Sequence, residues 1–274
     1  MPELPEVETI RRLLAEGRRG GPPLPGQRIT GAQVLWERTV AEPDAALFVA
    51  RVTGQEILSL GRRGKYLRLN LSRDVLLIHL RMSGDLWLEP LEEPPHRHHR
   101  VIFDLSSGYR LGFNNARKFG RLWLVEDPAP WLDKLGPEPL DEAFTVTDFY
   151  ARLHPRRRRL KPLLLDQTFL AGLGNIYTDE ALHRAHLHPL RIANTLTVQE
   201  AAALLDSIRF VLREGLRQNG ASIDWVYRGG GFQNTFQVYQ RTGQPCHTCG
   251  TPIRRIIVGQ RSTHFCPRCQ PLRE

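Results

Sequence analysis

Apolar residues first recur at helical spacing in Val7, Ile10, Leu13 and Leu14, one face of a helix that Pro5 suits in its first turn and Gly17 closes. Glu6 and Glu8 suit the positive end of its dipole. Residues 20–26 (GGPPLPG) break that pattern. From Gln27 to Glu126 the period shortens to two, in runs at Ile29–Trp36, Glu56–Leu60, Lys65–Leu71, Val75–Leu80, Arg100–Leu105, Tyr109–Phe113 and Arg121–Val125. Ser72-Arg73-Asp74 and Ser106-Ser107-Gly108 read as hairpin loops. Short strands at this density predict a sandwich or barrel. Lys65 shares parity with Leu67, Leu69 and Leu71, so a regular strand turns its ammonium toward the apolar face or lets it snorkel to the rim.

The pattern changes after Leu135-Gly136-Pro137-Glu138-Pro139, which reads as a linker. A short helix capped by Thr147 is expected to run to His154, and another to open at Gly172-Leu173-Gly174-Asn175 and reach about His186. Thr197-Val198-Gln199-Glu200 is a capping box for a long amphipathic helix with Ala201, Leu204, Leu205, Ile208, Val211 and Leu212 inward, closing near Gly220. Arg228 to Asn234 reads as a mobile loop. The fold class is therefore α+β, strands first and helices second.

Charge adds a partner to this outline. The chain has 274 residues with 38 Lys+Arg against 29 Asp+Glu, a formal net charge of +9, which favours a polyanion. No apolar run approaches a membrane span and no signal segment is visible, so a cytoplasmic protein without membrane attachment is expected. All four cysteines lie late in the chain, as Cys246-His247-Thr248-Cys249 and Cys266-Pro267-Arg268-Cys269. Two C-x-x-C pairs across a short hairpin are the spacing of a four-thiolate zinc site, a staple with no open coordination position.

Other stretches carry two readings each. Removal of Met1 would leave Pro2 with a terminal secondary amine beside the Glu3 carboxylate, a nucleophile next to an acid/base, or simply a frayed end. Gly172 to Asn175 at a helix start can present N–H groups to a phosphate, or merely permit a turn. Arg156 to Arg159 with Lys161 form either a phosphate-binding run or a solvated face, and the residue 96–100 stretch (HRHHR) either contacts phosphate or is simply exposed. Phe119, between basic Arg117 and Lys118, is either a wedge for a base stack or a core side chain.

These stretches, taken with residues 2–8 (PELPEVE), 62–66 (RRGKY), 79–84 (HLRMSG), 117–120 (RKFG), 135–140 (LGPEPL), 172–177 (GLGNIY) and 260–266 (QRSTHFC), resemble bacterial formamidopyrimidine-DNA glycosylases from end to end. Leu4 distinguishes the chain from the sister family resembling endonuclease VIII. The resemblance implies an N-terminal β-sandwich with flanking helices (residues 1–135), a helix–two-turns–helix domain (136–235) and a zinc finger (236–274) holding one structural Zn2+. It implies a bifunctional glycosylase and lyase acting as a monomer on damaged duplex DNA in a bacterial cytoplasm. Pro2 matches the nucleophile, Glu3 the acid/base, Lys65 the lysine of the elimination step and Arg261 the finger arginine on the flanking phosphate. His98, Arg117, Arg156, Lys161 and Asn175 match DNA contacts, and Met82, Arg117 and Phe119 match the trio that fills the gap left by a flipped nucleotide. The departures are Asn115-Ala116 for the usual Asp-Pro, Lys118 for a second arginine, Arg81 where glycine is common, and a short segment after the long helix. Two alternatives remain at this point: an endonuclease VIII-type enzyme for oxidised pyrimidines, and a catalytically silent zinc protein that recognises DNA structure.

Overall fold

The protein, seen in a computed structural model, is described over residues 1–222 and 229–272. Two compact units divide it: Met1–Asp133 with Gly220–Gly230, and Lys134–Asn219 with Gly231–Glu274.

In the first unit, helix α1 (Leu4–Ala15) starts with Pro5 in its first turn and Glu6 Oε2 accepting the Glu3 N–H at 2.7 Å. Strands β1 (Ile29–Val34) and β2 (Val40–Glu42) follow, then α2 (Ala45–Val52), capped by Asp44 Oδ1 on the Leu47 N–H. Next come β3 (Ile57–Arg63), β4 (Tyr66–Leu71), β5 (Val75–His79), β6 (Gly84–Pro90), β7 (His99–Leu105), β8 (Tyr109–Asn115), β9 (Arg121–Val125) and the short α3 (Ala129–Leu132). They form a four-stranded sheet ordered β1-β7-β8-β6 and a five-stranded sheet ordered β2-β9-β5-β4-β3. Among the described strands of this unit only the β2–β9 pair is parallel. One apolar core joins both: Leu67, Leu69, Ile78 and Leu124 meet Leu86, Val101, Phe103 and Phe113, with Val7, Ile10 and Phe48 from the helices. Each such fully buried side chain contributes about 1.5–3 kcal/mol relative to exposure. This is a β-sandwich with flanking helices.

Three local expectations need correction. Lys65 belongs not to a strand but to a two-residue turn with Gly64, whose φ of 55° suits glycine, and it is buried there. Strand β6 and helix α2 were not foreseen. Leu86 and Leu88 of β6 are buried, but Gly84 and Pro90 bracket them with turn residues.

The second unit carries α4 (Val146–Leu153), α5 (Leu160–Leu164), α6 (Asn175–Arg184), α7 (Val198–Arg217) and the hairpin β10 (Arg254–Val258)–β11 (Arg261–Phe265). Thr145, not Thr147, caps α4: its Oγ1 accepts the Asp148 N–H while Asp148 Oδ2 accepts the Thr145 N–H. Thr197 and Glu200 close the expected capping box of α7, and its inward residues are buried. In the stretch Arg228 to Asn234, expected to be a mobile loop, Phe232 is buried and stacks on Tyr177 at 5.0 Å, while Arg228 lies outside the described residues. Among the described residues no helix is long and apolar enough to cross a membrane.

Candidate active site and nucleic-acid interface

Pro2 and Glu3 are both buried, immediately ahead of α1, so they sit at the positive end of a helix dipole. Glu6 holds this start from two sides. Its Oε2 takes the Glu3 N–H, and its Oε1 takes the Ala221 N–H at 2.8 Å. A Cβ on Gly220 would fall 2.7 Å from Glu6 Oε1, and φ there is +83°, so only glycine allows this approach. The neck of the segment after α7 is closed by Ser222, whose Oγ accepts the Gly230 N–H (2.8 Å) and donates to the Gly230 carbonyl (3.0 Å).

Near Lys65 lies His79, a residue the sequence reading missed as a side chain of interest. Burial, then the charges of Arg81 and Lys65, lower its pKa to about 3, so it is neutral at physiological pH. Its Nδ1 accepts the Arg81 N–H at 3.0 Å, leaving the proton on Nε2. That bond accompanies φ 53° at Arg81, a left-handed conformation that favours glycine. The Tyr66 ring meets His79 edge-on at 4.8 Å.

The wedge candidates stand out from the sandwich on two adjoining loops. Met82 is 37% and Phe119 49% exposed, and the Arg117 guanidinium lies 5.3 Å from the Phe119 ring centre. Phe119 is therefore a surface side chain, not a core one. Ser83 stitches the loops together by donating to Asn115 Oδ1 (3.0 Å) and accepting the Arg117 N–H (3.2 Å). Arg121 Nη1 gathers the carbonyls of Lys118, Phe119 and Gly120. Lys118, at φ 60°, sets its ammonium 3.7 Å from the Trp36 ring centre, a cation–π contact. Asn115 makes the bond to Ser83 that an aspartate could make, but its Nδ2 is buried without a partner among the described residues. His98 accepts the Arg97 Nε–H at 3.2 Å, and desolvation followed by the charges of Arg97, His96 and Arg100 lowers its pKa.

In the second unit Arg156 is exposed. Asn175 opens α6, its Nδ2 donating to the Ser262 carbonyl at 2.8 Å while its Oδ1 has no partner among the described residues. Lys161 departs from the expected DNA contact: it is fully buried, and its ammonium donates to Asp179 Oδ1 and to the Asn175 carbonyl. The Gly259-Gln260 turn, with both φ values positive, puts exposed Arg261 at the head of β11.

The four cysteine sulfurs lie within 4.8 Å of one another, with Cys249–Cys266 at 3.4 Å and Cys246–Cys269 at 3.8 Å. A tetrahedral zinc at about 2.3 Å from each sulfur would set them about 3.8 Å apart. The donors thus fit one structural zinc ion held by Cys246, Cys249, Cys266 and Cys269. His183 Nε2 sits 3.7 Å from Cys246 Sγ.

A β-sandwich, a helical unit and a four-cysteine hairpin with basic surface residues define a class of DNA-repair glycosylases, and comparison with known proteins agrees along the whole chain. Family models match as the formamidopyrimidine-DNA glycosylase N-terminal domain (residues 1–122), its H2TH domain (135–226) and a zinc finger found in FPG and IleRS (243–272). The formamidopyrimidine-DNA glycosylase of Pelotomaculum thermopropionicum is 47% identical, with 100% of both chains covered. That of Heliobacterium modesticaldum is also 47% identical, over 98% of this chain and 100% of its own. Among solved structures, MutM with DNA containing carbocyclic 8-oxo-G has a TM-score of 0.92 at 38% identity, covering 99% of this chain and 100% of its own. Wild-type Lactococcus lactis Fpg (MutM) with DNA containing an oxidized pyrimidine has a TM-score of 0.91 at 37% identity, with the same coverage. The chain belongs to the formamidopyrimidine-DNA glycosylase family.

Proposed function

We propose that this chain is a base-excision-repair glycosylase with lyase activity that removes oxidised or ring-opened purines from duplex DNA. The full-length likeness to formamidopyrimidine-DNA glycosylases carries the reading. In this scheme the Pro2 nitrogen, freed of Met1, attacks C1′ of the damaged nucleotide. A C1′–N bond forms, the bond to the base breaks, and the departing base takes up a proton. Ring opening yields a cationic iminium that serves as an electron sink. Loss of the C2′ proton then expels the 3′ phosphate, and water releases the enzyme. Glu3 moves protons at the nucleotide, Lys65 serves the elimination and Arg261 holds the flanking phosphate. Met82, Arg117 and Phe119 occupy the gap left in the duplex. His98, Arg156 and Asn175 make DNA contacts. The enzyme works as a monomer in the bacterial cytoplasm, on the chromosome.

Borohydride trapping on duplexes with an oxidised purine, an oxidised pyrimidine or an abasic site tests this reading. Covalent capture at Pro2 is expected, and its absence on every duplex would leave the silent-binder alternative.

DNA affinity is expected to fall steeply with salt, by about 0.9 log unit per neutralised phosphate for each log unit of salt. Arg261→Ala should flatten that slope by about one contact. Asn175→Ala, removing no charge, should weaken binding at nearly constant slope. Filter-binding titrations from low to physiological salt check both, and a salt-independent affinity would contradict the scheme.

Lesion preference is tied here to the segment after α7, which is short. Ring-opened purines and abasic sites are expected to be processed well. The advantage of 8-oxoguanine over oxidised pyrimidines should be modest, in keeping with a relative whose structure holds an oxidized pyrimidine in DNA. Competition kinetics decide this: a preference of about a thousandfold, roughly 4 kcal/mol, would show a selective pocket.

A further inference from the structure

Lys161 and Asp179 form a salt bridge with both side chains fully buried, in a unit whose surface is otherwise rich in arginine. The bridge has a second arm. Asp179 Oδ2 accepts the backbone N–H of His264 at 2.9 Å and lies 3.2 Å from His264 Nδ1. Asp179 is on α6 and His264 is on β11, so one carboxylate joins the lysine of α5, the helix α6 and the zinc-finger hairpin. Two residues earlier on β11, the Ser262 carbonyl takes the Asn175 amide, and Lys161 donates to the Asn175 carbonyl. The strand is thus pinned to the start of α6 at Ser262 and at His264. Arg261 is the next residue outward.

We propose that Asp179 is a positioning residue for DNA binding: with Lys161 it docks β11 on α6 and so fixes where Arg261 meets the phosphate backbone. Lys161 serves this dock and neutralises no phosphate itself. A carboxylate suits the task because it accepts from the ammonium on one oxygen and from the hairpin on the other. An amide can accept on only one of its two atoms, so Asp179→Asn must give up one arm. Zinc closes the hairpin beyond β11 through Cys266 and Cys269, while Asp179 holds β11 at His264 and Asn175, itself held by Lys161, holds it at Ser262 beside Arg261.

The inference rests on the proposed role of Arg261, and the test separates the two. Affinity of the zinc-loaded full-length protein for a duplex with a tetrahydrofuran abasic analogue is measured against salt for wild type, Asp179→Asn, Lys161→Met, Arg261→Ala and Asp179→Asn/Arg261→Ala. Zinc content and thermal midpoint are recorded for each. Asp179→Asn is expected to keep one zinc per chain yet weaken binding about tenfold. Arg261→Ala should then cost several-fold less in that background than in wild type, the mark of two residues acting as a unit. Lys161→Met should leave the salt slope unchanged. If Asp179→Asn does not fold, the cycle is run in Lys161→Met/Asp179→Leu, since an apolar pair can replace a buried ion pair without loss of the fold. Equal cost of Arg261→Ala in both backgrounds would overturn the role of Asp179. Loss of zinc from Asp179→Asn would assign its effect to the metal instead. A slope flattened by about 0.9 in Lys161→Met would make Lys161 a phosphate contact. No effect of Arg261→Ala in wild type would remove the reading of Arg261 on which the dock depends.

Discussion

Retention of Met1, or the substitution Pro2→Gly, is expected to reduce borohydride trapping and strand cleavage by on the order of a hundredfold or more, while much of the DNA affinity remains. Retained Met1 converts the Pro2 nitrogen into an amide, which has no lone pair available for attack. Glycine keeps a terminal amine but loses the ring that makes it secondary. The iminium of a secondary amine has no N–H to lose and stays cationic, so it remains an electron sink through the elimination. Affinity should survive because the proposed charged contacts, Arg117, Arg156 and Arg261, are elsewhere in the chain. Mass spectrometry of the purified protein, paired with trapping on an abasic-site duplex, checks the expectation. Full lyase activity in a protein whose mass retains Met1 would reject Pro2 as the nucleophile.

Loss of the metal is expected to have the next largest effect. Cys249→Ser should release zinc and weaken DNA binding by about tenfold or more. The finger's own apolar core is small: Val238 and Ile253 pack against the cysteines, and Val258 and Phe265 are buried on the hairpin. Structural zinc in such small units supplies apparent binding energies of about 10–16 kcal/mol, at least comparable with what these few side chains provide. Without zinc the β10–β11 hairpin loses one of its two anchorages, and Arg261 loses its fixed position. Chelation of the wild-type protein should reproduce the mutant. Metal analysis with a binding titration measures both, and unchanged affinity in a zinc-free protein would show that the hairpin holds its shape unaided.

The order strands-then-helices, the capping box at Thr197, the inward face of α7 and the four-thiolate site were all legible in the sequence. Each rests on local spacing, either a period along one element or a pair of knuckles, and local spacing is what a linear chain records. Strand β6 escaped because Gly84 and Pro90 gave its ends the look of turns, although Leu86 and Leu88 alternate correctly. The cap of α4 was displaced by two residues since Thr145 and Thr147 both suit an N-cap, and only Asp148 folding back on Thr145 separates them.

Tertiary structure decided what charges do. From sequence, Lys161 follows an arginine run and looks like one more phosphate contact. Its partner Asp179 lies eighteen positions on, and only the packing of α5 on α6 brings the two together, out of water. Burial likewise holds His79 neutral beside Arg81 and Lys65, and gives Arg81 a reason for its left-handed backbone. Composition gave the sign of the net charge, and the spacing of the two C-x-x-C pairs gave the metal site. Which cations face solvent, and which are consumed in holding the scaffold, depends on desolvation and on long-range partners, and these exist only once the chain has folded.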